Sequence, residues 1–138
     1  MLNRALSFDP KNADALDDLA VAASSAGETE QAVQLMKKAL TITPEVAVRW
    51  SNLAKLHRDN HQDAEAHKAA LRALELQPDN LSAMHTLASI AQENKNHQAA
   101  YHWLSEIFRH RPDNSTLYGQ LMTLKSQLEQ QPASDDNP

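Results

Sequence analysis

The sequence predicts an all-α chain made by stacking one helix pair several times, and three observations carry that prediction. Pro10, Pro44, Pro78 and Pro112 stand 34 residues apart at each step, and Leu19, Leu53, Leu87 and Leu121 keep the same register. Only two glycines occur in 138 residues, far too few for the tight turns of a sheet-rich fold. Ala, Leu, Gln, Glu and Lys, the strong helix formers, dominate the middle of the chain. Small residues fill further columns at the same step: Ala5, Ala39 and Ala73; Ala20, Ala54 and Ala88; Ala32, Ala66 and Ala100. Self-similarity at one fixed period is the signature of a repeat architecture.

The elements follow in order. "MLNRALSFDP" reads as the latter half of a second helix, with Leu2, Ala5 and Leu6 in register. Residues 1–12 are therefore expected to be the closing half of a preceding repeat, which belongs to a longer parent or is completed by another chain. Three complete units are expected over 13–46, 47–80 and 81–114. The first helix of each carries "ALDDLAVAASS", "RWSNLAKLHRD" or "AMHTLASIAQE", with apolar residues at helical spacing such as Trp50, Leu53, Ala54 and His57. Trp50 is read as core, and Leu53 with its equivalents as the layer between the helices. Gly27, Asn60 and Asn94 are the expected breaks, since these residue types best tolerate a left-handed backbone.

The second helix is expected over 28–42, 62–76 and 96–110. Its apolar face holds Ala32, Met36, Ala39 and Leu40 in the first unit, with Ala66 to Leu74 and Ala100 to Phe108 taking that place in the next two. Small residues recur because two antiparallel helices on a short loop approach closely. A large side chain at Ala66 would push them apart, at about 1–3 kcal/mol. Each Pro marks the change from one pair to the next. In "DPKN", "QPDN" and "RPDN" the Asn can cap the following helix, whereas "TPEV" lacks it and leaves Thr43 as the expected cap. Residues 115–130 read as one closing helix with Tyr118, Leu121, Leu124 and Leu128 inward and Gln120, Gln127 and Glu129 outward. Residues 131–138 read as a disordered tail.

Composition excludes several function classes. The formal net charge is −5 with Lys and Arg scattered, so a phosphate backbone meets no basic stripe and nucleic-acid binding is not expected. No apolar run approaches the roughly 18 residues of a membrane span. The chain has no cysteine, hence no disulfide, thiol nucleophile or zinc thiolate. That fits a reducing cytoplasm, and a periplasmic setting stays open if a longer parent carries a signal. No nucleophile elbow, phosphate-binding glycine loop or base-and-nucleophile pair is present, so no enzyme is expected.

These columns resemble the tetratricopeptide repeat, a 34-residue helix–turn–helix unit that stacks into a right-handed superhelical solenoid of antiparallel helix pairs. The resemblance covers residues 1 to about 128: three units plus flanking half-repeats. Its first large-residue column holds Leu16, Trp50, Met84 and Tyr118, followed by the Leu, small, Ala and Pro columns above. Departures are Ala23, His57 and Ala91 where the family wants an aromatic, Ile107 for Ala, and Met122 for a small residue.

The resemblance implies a non-catalytic scaffold binding a peptide or partner segment on a concave face lined by the first helices. Its groove positions carry over to Asp14, Asp17, Val21 and Ser24, then Val48, Ser51, Asn52, Lys55 and Arg58, then Ser82, His85, Ser89 and Gln92. The plainer alternative is a set of solvated helix faces. One subgroup clamps the C-terminal carboxylates of chaperones; its clamp maps to Asp17, Val21, Asn52, Ser82 and Thr86, where only Asn52 matches. The other functional reading is assembly or a regulatory arm, docking through the N-terminal edge at Leu2 and Leu6 or through Trp103, possible routes to a homo-oligomer. Packing of Trp103 against the closing helix is the favoured alternative. His57 and His61, four apart, have helical ligand spacing, but packing and surface roles are favoured over a metal site. No cofactor is expected.

Overall fold

The computed structural model describes residues 10–130, which form α-helices joined by short loops, with no strand among them. They are α1 (Pro10–Ser25), α2 (Thr29–Ile42), α3 (Ala47–Asp59), α4 (Asp63–Leu76), α5 (Leu81–Glu93), α6 (His97–His110) and α7 (Ser115–Gln130). Leu2, Ala5 and Leu6 of the expected preceding half-repeat and the tail 131–138 lie outside the described residues. The chain divides into two compact units, one ending at Thr86 and one from Leu87 onward. In the first, α1 packs on α2, α2 on α3 and α3 on α4; in the second, α6 packs on α7. No described helix is long and apolar enough to cross a membrane.

Each first helix ends the same way. Glu28, Gln62 and Asn96 donate backbone N–H to the carbonyls of Ala23, His57 and Ala91, all at 2.8 Å. One residue earlier, Gly27, His61 and Lys95 donate to Ser24, Arg58 and Gln92 at 3.0–3.1 Å. This pair of bonds requires a left-handed residue just past the helix, and Gly27, His61 and Lys95 have φ of 84°, 60° and 59°. The left-handed residue thus falls one position after Asn60 and Asn94, a correction to the expected breaks. The helix cap geometry sets the position, and His61 and Lys95 adopt it at a steric cost that Gly27 avoids.

The junctions between pairs are β-turns with Pro at the second position, where its fixed φ fits. Val46, Asn80 and Asn114 donate backbone N–H to Thr43, Gln77 and Arg111 at 3.4, 3.0 and 3.2 Å. Asn80 and Asn114 then accept from the amides of Ala83 (2.9 Å) and Leu117 (3.0 Å), capping α5 and α7. "DPKN" behaves differently, because α1 already starts at Pro10 and Asn12 lies inside it. Thr43 is not the cap of α3; it closes α2, where its N–H and hydroxyl both donate to Ala39 O. Val46 sits at the cap position of α3 with no side-chain oxygen to offer.

The small columns are buried throughout: Ala32, Ala66 and Ala100, Ala39 and Ala73, and Ala20, Ala54 and Ala88 have almost no exposed surface. Leu53, Leu87 and Leu121 fill the layer as expected, but Leu19 is 40 % exposed. Leu53 belongs to a helix that packs on the preceding α2, whereas α1 is the first described helix. In α7 the inward stripe is led by Leu117, with Leu121 and Leu124; Tyr118 is exposed and touches Phe108 with ring centroids 5.9 Å apart. The stripe runs at i, i+4 and i+7, and Tyr118 falls one position off it. Ile107 is buried, so a large side chain is accommodated where Ala stands in earlier repeats, while Met122 is partly exposed.

Candidate partner-binding groove

The first helices α1 and α3 carry most of the expected groove positions, and the structure separates them. Val21, Ser24, Asn52 and Lys55 come together around a concavity of about 200 Å3, floored by Ala20, Met36 and Leu56 and bordered by Asp59. Val21 is exposed, as is Val48 near the start of α3, so this face presents apolar as well as polar surface. Arg58 is half-buried near the end of α3. On α5, Ser82 is half-buried and His85 exposed in the first compact unit, and Ser89 is half-buried and Gln92 exposed in the second.

Ser51 does not belong to the groove. It is 2 % exposed, and its hydroxyl donates to Val48 O at 2.8 Å. Burial satisfies Ser51 within its own helix and leaves nothing for a ligand.

Asp14 and Asp17 are claimed by a residue that periodicity did not flag. Arg49, buried at the start of α3, donates through Nη2 to Asp14 and holds Nε 3.5 Å from Asp17 Oδ2. Its Nη1 donates to Thr43 Oγ1 at 2.7 Å, which ties the α2–α3 junction into the same cluster. Burial pushes the Asp17 carboxyl above its ordinary 3.8; Arg49 opposes this, and Asp18 and Asp14 add to it. The acidic end of the face is therefore a cross-repeat ion pair. The signal in the sequence was compositional: Arg49 occupies a column held otherwise by Ala15 and Ala83, with acids one repeat upstream.

His57 and His61 stand in different settings. His57 is buried and its Nδ1–H donates to Gln62 Oε1 at 2.8 Å, while His61 lies past the end of α3 in the left-handed turn. Among the described residues no three His, Cys, Asp or Glu side chains gather as metal ligands do. Trp103 is half-buried, and its ring meets His102 edge-on with centroids 4.6 Å apart. Trp50 is not simply core. It is half-buried, donates its indole N–H to Pro44 O at 2.7 Å, and walls a pocket on the side of α2 and α4.

Two family models described as tetratricopeptide repeat match residues 23–90 and 1–34. No curated protein sequence matches the chain significantly. Among solved structures, the first repeat domain of Spaghetti (RPAP3) bound to the HSP90 peptide SRMEEVD is 16% identical, with a TM-score of 0.79 over 89% of this chain and 98% of that one. The Sgt2 domain from Aspergillus fumigatus is 22% identical, with a TM-score of 0.75 over 98% of this chain and 93% of that one. The Arabidopsis OM64 domain is 16% identical at a TM-score of 0.76, covering 84% and 96%. With the 34-residue columns, the repeated helix caps and these matches in agreement, the chain belongs to the tetratricopeptide repeat family.

Proposed function

We propose that the chain is a non-catalytic protein-interaction scaffold that holds an extended partner segment on the face of its first helices. The observation that carries this reading is the concavity where Val21, Ser24, Asn52 and Lys55 meet across two repeats. Asn52 and Ser24 supply hydrogen bonds to an extended backbone, Val21 supplies apolar contact, and Lys55 supplies a charge for a carboxylate. A solved domain of the same fold carries a peptide, which supports the mode of binding.

The carboxylate-terminal chaperone tail is not the ligand proposed. Of the clamp positions Asp17, Val21, Asn52, Ser82 and Thr86, only Asn52 has the required type, and Thr86 is buried. Asp17 is engaged by Arg49 and presents an acid where the clamp needs a cation. The partner is instead a segment pairing an apolar side chain with an acidic one a few residues away.

Peptides selected by display against the unmodified chain provide the test. Their affinity for a Lys55→Glu variant should fall about 10-fold, the effect of reversing a charge at a partly desolvated contact. Equal affinity for Lys55→Glu and for Val21→Asp would sink the groove reading. A second reading, assembly through the edge around Leu19, is favoured by the 40 % exposure of that side chain. Sedimentation velocity decides it: one mass at every concentration removes it.

A further inference from the structure

On the side of the second helices, α2, α3 and α4 leave a pocket of about 560 Å3 whose surface is mostly apolar. Trp50, Leu40, Leu53 and Pro44 form much of it. The indole N–H is already satisfied by Pro44 O, so the Trp50 wall asks for no polar ligand group. One small residue adds to the width of the pocket. Ala69 stands in the column held by Leu35 one repeat earlier and by Trp103 one repeat later, and at Ala69 there is nothing to fill the space.

The rim has the opposite sign to the chain. Lys37, Lys68 and Arg72 surround the opening with Glu65 as the acid, on a protein whose net charge is −5. The guanidinium of Arg72 lies 6.0 Å from the centre of the Trp50 ring and is held there by Glu75 at 2.8 Å, so one cation is fixed beside the apolar wall. An apolar slot with a cationic border complements a ligand that is apolar at its centre and anionic at its edges.

We propose that this pocket is a second docking site, which takes one large apolar side chain of an acidic partner segment while Lys37 and Lys68 hold the flanking carboxylates. The site is independent of the groove on the first-helix face, and the two can be occupied by different stretches of one partner. Two short contacts on opposite faces raise avidity without a larger interface.

The test uses Trp50 as its own reporter. In the full chain carrying Trp103→Phe, a synthetic acidic peptide with a single Phe is titrated while Trp50 emission is followed. A saturable spectral shift is expected, with affinity falling as salt is raised. Replacing the peptide's Phe by Ala should weaken binding about 10-fold or more, as for an anchor residue. The double variant Lys37→Glu with Lys68→Glu should weaken it comparably, and Ala69→Leu, which narrows the pocket, should weaken it as well. Lys37 and Lys68 are exposed, so the charge reversal keeps the test open even if Ala69→Leu unfolds. Lys55→Glu should leave the titration unchanged, which separates this site from the groove. The proposal is overturned by absence of a saturable shift, by indifference to the charge reversal, by equal binding of the Ala peptide, or by loss of binding on Lys55→Glu.

Discussion

Arg49→Met tests whether the acidic end of the first-helix face is a structural ion pair. The substitution keeps an apolar stem of similar length and removes the guanidinium. Three interactions go with it, and their worth differs. The Asp14 carboxylate is 73 % exposed, so its pairing contributes no more than a surface bridge, about 0–1 kcal/mol. Thr43 Oγ1 loses an accepted bond in a buried place but keeps its own donation to Ala39 O, a loss of about 1 kcal/mol. Asp17 is 21 % exposed and loses the Arg49 cation beside it, while burial already disfavours its charge. Met avoids the desolvation that Arg49 suffers, which offsets part of the sum. The net expectation is a destabilisation of about 1–2 kcal/mol at neutral pH, below the 3–5 kcal/mol of a fully buried pair.

Urea denaturation followed by circular dichroism measures this, and a cycle with Asp17→Asn isolates the pair, with a coupling of about 1 kcal/mol expected. The pH dependence supplies the sign. A carboxyl whose folded pKa is raised binds its proton in the folded state first, so stability falls as pH rises from 3.8 through the folded value. Without Arg49 the folded value rises further. The deficit of Arg49→Met should therefore shrink as the pH is lowered through that window. Zero coupling together with a pH-independent deficit would refute the reasoning.

Three other outcomes follow from the same structure. Gly27→Ala should cost about 1 kcal/mol and His61→Gly and Lys95→Gly should each gain about 0.5 kcal/mol, because only Gly is unstrained at positive φ; an added Cβ at Gly27 meets nothing within 4 Å, so thermal melts read conformation alone. Asn80→Ala and Asn114→Ala should each cost about 1 kcal/mol, and Val46→Asn should gain a comparable amount by providing the cap that α3 lacks, all read as shifts in urea midpoint. Ala66→Leu should cost about 1–3 kcal/mol by prising α3 from α4, measured by the same denaturation; a neutral effect would mean that the small column is not required by close approach.

The helix pairs were legible because a solenoid repeats its physics at a fixed step. The same close approach demands Ala at 32, 66 and 100, and the same turn demands Pro at 44, 78 and 112, so local pattern and tertiary contact coincide. Helix ends came within a few residues, and the misplacements were physical. Asn60 looks like a left-handed residue by type, yet the hydrogen bonds of the helix cap assign that conformation to His61. Thr43 looks like a cap, yet the turn that Pro44 begins places it at the end of α2.

The candidate site was legible only in outline. Sequence by itself determined the fold, the first-helix face and the residue types on it, since helical spacing decides which side chains share a face. Tertiary structure alone decided which of those side chains are available. It paired Asp14 and Asp17 with Arg49, buried Ser51, gathered Val21, Ser24, Asn52 and Lys55, and left a pocket beside Trp50. Availability depends on what lies across a gap from another repeat, and no spacing along one chain records which neighbour fills that gap.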